Sequence, residues 1–304
     1  MKRTGLGLVV VLAAIGAGPL AAGPRGAQAG PQSRTIYVSI LDKASGKPIP
    51  GLTAADFKVR DGKDREITSV SVPTSRAKLA ILVEEALAPD TTTRQAILDF
   101  SKRMVKSADI SIASTGNRNT TVVPFTDDLQ KIVAGLNSIT MVQMRQSSQM
   151  ADGIYEAAKA FQQLKTERPI IVAIALELPI QSAESADNVL NALRLSRAVL
   201  EVVAVELPRG ASQGPQGGLP SSGLDAIETS KVIGEGPKQS GGRRIGLTST
   251  RAIPQGLMDV ANDLDAQYAI TYAIPAGEKP QDRISVSTTR KNVNLLAPNR
   301  VNQN

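Results

Sequence analysis

KLAILVEEALA, residues 78–88, decides how this chain folds. An unbroken apolar run ends on two carboxylates, Glu84 and Glu85, and then on the small residues Ala86, Leu87 and Ala88. Turn residues bracket it, with Pro73 and Ser75 before and Pro89 and Asp90 after. Such a run predicts a central strand buried on both faces of a parallel sheet. Asp90 stands where an N-cap belongs. The following TTTRQAILDFSKRMVKS places Ala96, Ile97, Phe100, Met104 and Val105 on one face of a helix. A strand-to-helix corner of this kind lies at the carboxyl end of an open α/β sheet, where ligands bind.

Outward from that corner the pattern repeats. Strands are expected at KLAILVE, DISIAST, TTVVPFT, PIIVAIALE, VLEVVAVEL and QYAITYAI, with helices over 91–107, 127–139, 149–164, 184–197 and 254–264. Alternation of this sort predicts an α/β fold, a doubly wound, mostly parallel sheet with helices on both faces. TTVVPFT follows DISIAST through the short turn at 116–119, so it is expected as an antiparallel edge hairpin. Residues 30–74 differ. TIYVSILD and REITSVSV alternate apolar and polar residues, and DFKVRDG ends in an Asp-Gly turn. They predict a small β-rich module, too short to bury a core of its own, packed on the main domain at 75–274. Residues 275–304 form a C-terminal β extension, and the low-complexity stretch 208–223 reads as a mobile loop.

The amino terminus carries a basic pair, Lys2 and Arg3, then the apolar LGLVVVLAAIGAGPLAA, then Ala27-Gln28-Ala29. This is the pattern of a signal peptide over 1–29, cut after Ala29. The apolar run is interrupted by Pro19 and falls short of the ~20 residues that span a bilayer. The expected product is exported, periplasmic or secreted, with no membrane span after cleavage.

Composition narrows the chemistry. The chain has no cysteine and no histidine, which rules out disulfides, thiolate metal sites, cysteine nucleophiles and a Ser-His-Asp triad. It has no tryptophan and few aromatic residues. The +7 net charge is spread without a dense basic stripe, and Lys2, Arg3 and Arg25 leave with the signal. Nucleic-acid binding is therefore not expected.

The order of elements resembles a von Willebrand factor type A domain, and the flanks narrow the resemblance to bacterial VWFA-related secreted proteins. The leader is carried by Val38-Ser39-Ile40-Leu41-Asp42, by Gly46-Lys47-Pro48-Ile49-Pro50-Gly51-Leu52-Thr53, and by Asp56-Phe57-Lys58-Val59 with Asp61-Gly62. Further on, Gln239-Ser240-Gly241-Gly242-Arg243 resembles the family's helix-terminal Gly-Gly. Gln267-Tyr268-Ala269-Ile270-Thr271-Tyr272 and Asp282-Arg283-Ile284-Ser285-Val286 resemble its closing strand and extension. The resemblance implies a metal-ion-dependent adhesion site: Asp-x-Ser-x-Ser after the first strand, a Thr from a second loop and an Asp after the fourth strand, holding Mg²⁺ through hard oxygens.

Here the chain departs from that pattern. The Asp aligns with Glu84, and the two serines with Ala86 and Ala88. The Thr falls at Ser147 or Ser148, and the last Asp at Leu176 or Glu177. Two hydroxyl ligands are lost, and Glu is one methylene longer than Asp. The expected site is thus degenerate, with no metal and no cofactor. A divalent ion held by Glu84, Ser147 or Ser148, and Glu177 is the alternative, with Mg²⁺ as its cation. Glu84, Glu85 and Glu177 also admit a glutamate-based hydrolase. Against this, no nucleophile, phosphate loop or cofactor motif accompanies them, and solvated strand-end carboxylates are the plainer expectation. Ser147 and Ser148 suit the N-cap of the next helix, Gly241-Gly242 a helix C-cap, and Met141, Met144 and Met150 core beside a loop. Lys102, Arg103 and Lys106 suit a solvated helix face. The function expected is a non-catalytic protein-interaction module of adhesion or scaffold type, with a protein partner.

Overall fold

The computed structural model describes residues 32–116, 119–139, 149–176, 182–206 and 231–302. In chain order these form β1 (Gln32–Asp42), a 3-10 turn at Ala54–Asp56, β2 (Phe57–Asp61), β3 (Lys63–Arg65), β4 (Ile67–Ser71) and β5 (Ala77–Glu84). There follow α1 (Thr91–Met104), β6 (Ala108–Thr115), β7 (Thr120–Thr126), α2 (Leu129–Ser138), α3 (Met150–Gln163), β8 (Pro169–Leu176), α4 (Ala186–Ser196) and β9 (Val199–Val205). A π turn at Lys231–Glu235 runs into α5 (Gly236–Ser240), then β10 (Arg244–Leu247), a 3-10 turn at Thr250–Ala252, α6 (Ile253–Asp265), β11 (Gln267–Ile274), β12 (Ile284–Thr288) and β13 (Val293–Leu296). The signal-peptide residues and the loop expected at 208–223 lie outside the described residues.

The central sheet has the order β10-β9-β8-β5-β6-β7 and is parallel except for β7. Every residue of β8 and β9 is buried, as the continuous apolar runs require of strands covered on both faces. Period-two geometry sorts β5: Leu79, Ile81 and Val83 pack towards α1, α2 and α6, while Ala80 and Leu82 pack towards α3 and α4. The doubly wound expectation is met, and β7 is the antiparallel edge partner of β6. The Asp90 carboxylate caps α1 by accepting from the Thr93 N–H at 2.8 Å. Arg103, expected on a solvated face, instead clamps α1 to α6 by donating to Asp265 (2.6 Å) and Asn262 (2.9 Å).

β11 departs from expectation. It leaves the parallel sheet and pairs antiparallel with β1 over eight positions, from Gln32↔Ile274 to Ser39↔Gln267. With β4 and β13 it builds a second sheet of order β13-β1-β11-β4. The reason lies in its pattern: Tyr268, Ile270, Tyr272 and Ile274 are buried, while Ala269, Thr271 and Ala273 are half-buried. A one-sided strand fits an antiparallel sheet with one face on a core. β12 pairs with β2 in a third sheet, β12-β2-β3. The amino-terminal β segment and the carboxyl-terminal extension therefore interleave into one β unit around a shared core that includes Ile36, Val38, Phe57, Val59, Tyr268 and Tyr272.

Asp61 fastens this unit. It is fully buried and accepts from Arg34 (3.2 Å), the Tyr272 hydroxyl (3.1 Å) and the Gln281 N–H (2.7 Å). Burial pushes the Tyr272 phenol up to about 12, so it stays a donor.

Candidate functional site

Glu84 ends β5 and is 3 % exposed. Its carbonyl accepts from the N–H groups of Leu87 (2.8 Å) and Ala88 (3.1 Å), which curls the chain into a tight turn. The curl carries Leu87 and Ala88 into the core under α1, and half-buried Ala86 packs against the same cluster. Both positions aligned with serine ligands thus present methyl groups to apolar neighbours. Glu85 stays half-buried. Its N–H donates to the Thr115 carbonyl (2.9 Å), and its carboxylate lies against Gly116, where a Cβ would come within 1.9 Å of Oε2. Gly116 leaves room for the Glu85 carboxylate in this position, a contact between two strand ends that no sequence pattern announced.

Arg94 of α1 reaches back over the corner. Its Nε donates to the Ala88 carbonyl (2.8 Å) and its Nη2 to the Ile139 carbonyl (2.5 Å), which ties the turn to the chain end after α2. A permanent guanidinium charge beside the Ala88 carbonyl opposes a cation at this spot. On the other side, Asp152 in the first turn of α3 accepts from the Ser182 hydroxyl (2.6 Å), the Ala183 N–H (3.1 Å) and the Glu184 N–H (3.3 Å). That carboxylate holds the loop leading into α4.

Of the residues proposed for the site, Glu84, Ala86 and Ala88 are gathered at this corner. Ser147, Ser148 and Glu177, together with Met141 and Met144, lie outside the described residues. The N-cap position of α3 is Gln149. Met150 is fully buried core. Gly241 is the left-handed C-cap of α5 at φ 93°, with its N–H on the Pro237 carbonyl (3.0 Å), as the Gly-Gly pair suggested. Mg²⁺ requires near-octahedral oxygen ligation. At the described corner Glu84 is a buried carboxylate and Glu85 a half-buried one, Ala86 and Ala88 supply methyl groups where the resembled pattern has hydroxyls, and Arg94 brings a fixed positive charge. Among the described residues no three acidic side chains converge as a metal-binding group.

A second charged centre was not anticipated. Glu201, in the middle of β9, and Asp263 of α6 are both fully buried. Arg243 joins them: its N–H donates to Glu201 Oε2 (2.9 Å) and its Nε to Asp263 Oδ2 (2.6 Å). Among the described residues, Glu201 Oε1 and Asp263 Oδ1 have no hydrogen-bond partner. Burial, with the neighbouring Asp263 charge, pushes Glu201 well above the usual carboxylate range. Burial raises Asp263 to about 6 despite Arg243. One signal was visible: a lone glutamate inside the apolar run VLEVVAV has no water to face.

The sheet order, the antiparallel edge strand and the two helical layers define a fold of von Willebrand A type. No family model and no curated protein sequence matches the chain. Several solved structures do. An aerotolerance-related membrane protein from Bacteroides fragilis is 17 % identical, with 61 % of this chain and 98 % of that one covered and a TM-score of 0.42. The conserved hypothetical protein BatB from Bacteroides thetaiotaomicron is 15 % identical with the same coverages and a TM-score of 0.42. Proximal thread matrix protein 1 from the mussel byssus, with a zinc-occupied MIDAS motif, is 15 % identical, covers 67 % of this chain and 50 % of its own, and has a TM-score of 0.43. What those proteins bind stays with them. No helix among the described residues is long and apolar enough to cross a membrane.

Proposed function

We propose that this protein is an exported, non-catalytic interaction module that engages a protein partner at the carboxyl end of its parallel sheet without a metal ion. The observation that carries the reading is the corner itself. Leu87 and Ala88 are packed into the core, Glu84 is buried, and Arg94 bridges the carbonyls of Ala88 and Ile139. A corner locked by the protein's own contacts offers a partner a preformed surface. The leader sequence supports export, and the lack of histidine and cysteine supports a non-catalytic role. The adhesion-type reading follows the family resemblance.

The test has a metal arm and a partner arm. A site with a dissociation constant of about 10 µM would stabilise the fold by ~2.7 kcal/mol at a hundredfold excess of metal. The parent chain should show no such shift with Mg²⁺, Mn²⁺ or Ca²⁺ against chelator. A parent that is stabilised, and loses the response in Glu84→Gln, overturns the metal-free reading. In cross-linking to the native envelope, the expected partner band survives chelator and is lost in Glu85→Arg. A band lost with chelator, or indifferent to Glu85→Arg, counts against the corner.

A further inference from the structure

At the opposite end of the central sheet, β1, α4, α5 and the chain after β13 enclose a gap. β11 covers one edge of β1 from Gln32 to Ser39, but β13 covers the other only from Ser39 to Asp42. Among the described residues no strand borders the outer edge of residues 32–38. The divergence has a local cause. Pro298 lacks the N–H that would continue the ladder. The chain there turns to α5 instead, with a bridge from Pro298 to Ser240 and the Arg300 N–H on the Gln239 carbonyl (3.2 Å).

Alternation decides which groups face the gap. The Ile40 N–H donates to Ala266 on the β11 side (3.2 Å), so even-numbered residues of β1 turn their backbone groups that way. The N–H and C=O groups of Thr35 and Tyr37 consequently point outward. The cavity they border measures about 90 Å³ and is walled by Leu190 and Leu193 of α4 and by Val301. A volume of that size is well below the roughly 300–1,000 Å³ of a small-molecule site. It suits one aliphatic side chain, given that an apolar cavity of roughly 150 Å³ accepts benzene.

Charge supplies the last element. Arg34 and Arg300 on the wall are paired with Asp61 and Asp282. Arg194 and Arg197, at the end of α4, also line the cavity. Arg194 donates to Asn191 (2.7 Å), and neither arginine has an acidic partner among the described residues. Glu167 is the carboxylate that also lines the gap.

We propose that this gap is a strand-addition site for the carboxyl terminus of a partner protein. The terminal segment would pair through its backbone with Thr35 and Tyr37, seat its last aliphatic side chain against Leu190, Leu193 and Val301, and bring its terminal carboxylate to Arg194 and Arg197. An open sheet edge confers backbone affinity, a pocket selects the side chain, and a charged end captures the carboxylate. The site is remote from the strand-end corner and stands or falls independently of it.

The test uses the full mature chain and fluorescein-labelled hexapeptides ending in Val, Leu or Ile, read by anisotropy. Free-acid peptides should bind saturably. Binding should weaken at least about tenfold on carboxyl-terminal amidation, on N-methylation of the peptide backbone, and in Arg194→Ala/Arg197→Ala. The variant should keep its thermal midpoint, since Arg197 is exposed and Arg194 half-buried. Glu85→Arg should leave peptide binding intact. Absence of saturable binding, equal binding of acid and amide, indifference to N-methylation, or an unaffected double variant would each overturn the proposal.

Discussion

The buried carboxyl pair should make this protein lose stability as pH rises from about 4 towards 6, opposite to the usual behaviour of acidic side chains. Asp263 carries a folded-state value of about 6 against an ordinary 3.8, so its proton is held more tightly in the folded chain. The sign follows. Its contribution is complete below the unfolded value, is lost as pH rises through about 6, and is gone above that. A shift of this size, at 1.36 kcal/mol per unit, corresponds to about 3 kcal/mol between the two limits. Glu201 is displaced in the same direction by burial and by Asp263, which extends the window upward. An opposing set works lower down. Asp99 and Asp109 are held below the usual range, by the Gln95 and Lys78 side chains respectively, and lose their contribution only as pH falls below the ordinary carboxylate value. With no histidine in the chain, no imbalance from imidazole enters the window. Urea unfolding from about pH 4 to about pH 7 should therefore show falling stability. In Asp263→Asn, which keeps an acceptor for Arg243, the slope should be much flatter. A parent equally stable at both ends, or a variant that keeps the slope, refutes the raised affinity of this pair for protons.

Two further perturbations probe the frame. Gly242→Ala places a Cβ 2.1 Å from the Leu200 carbonyl, a backbone atom that has no easy retreat, and should cost at least ~1–3 kcal/mol, read as a lowered thermal midpoint. Asp61→Asn removes the buried charge facing Arg34 and should destabilise by about 3 kcal/mol in urea titration, with β1 and β2 loosening together in hydrogen exchange.

Much of the central sheet was legible because its strands obey one rule. PIIVAIAL and VLEVVAV are apolar throughout, and only a parallel sheet covered on both faces demands that. Asp90 and Gly241 were legible as caps because their side-chain and backbone chemistry acts locally. β11 was misplaced because its position after a helix suggested another parallel strand, while its alternation at Tyr268, Ile270 and Tyr272 already marked it as one-sided. Its partner, β1, lies more than two hundred residues earlier, and no local signal announces such a pairing. β10 escaped notice because RIGL is only four residues long and half-buried at Arg244 and Ile245. At the corner, the substitutions at 84, 86 and 88 were visible, but the roles of Arg94, Asp152 and Gly116 were not. Each acts through a carbonyl, an N–H or a close approach supplied by a distant segment.

Those three residues explain how the corner holds its shape. A divalent cation organises loops by drawing their oxygens to a common point, and it needs a hollow, anionic cup to do so. In this chain the hollow is filled from below by Leu87 and Ala88. The carbonyls of Ala88 and Ile139 accept hydrogen bonds from Arg94. The carboxylate of Asp152 is committed to the hydroxyl and N–H groups of Ser182, Ala183 and Glu184. Each loop end is thus fixed by a contact within the protein, and the cost of ordering it is met on folding rather than on association. A surface ordered in advance loses little entropy when a partner docks. On the proposed reading, half-buried Glu85, seated on Gly116 at the junction of β5 and β6, is the side chain there through which a partner's charge would be read.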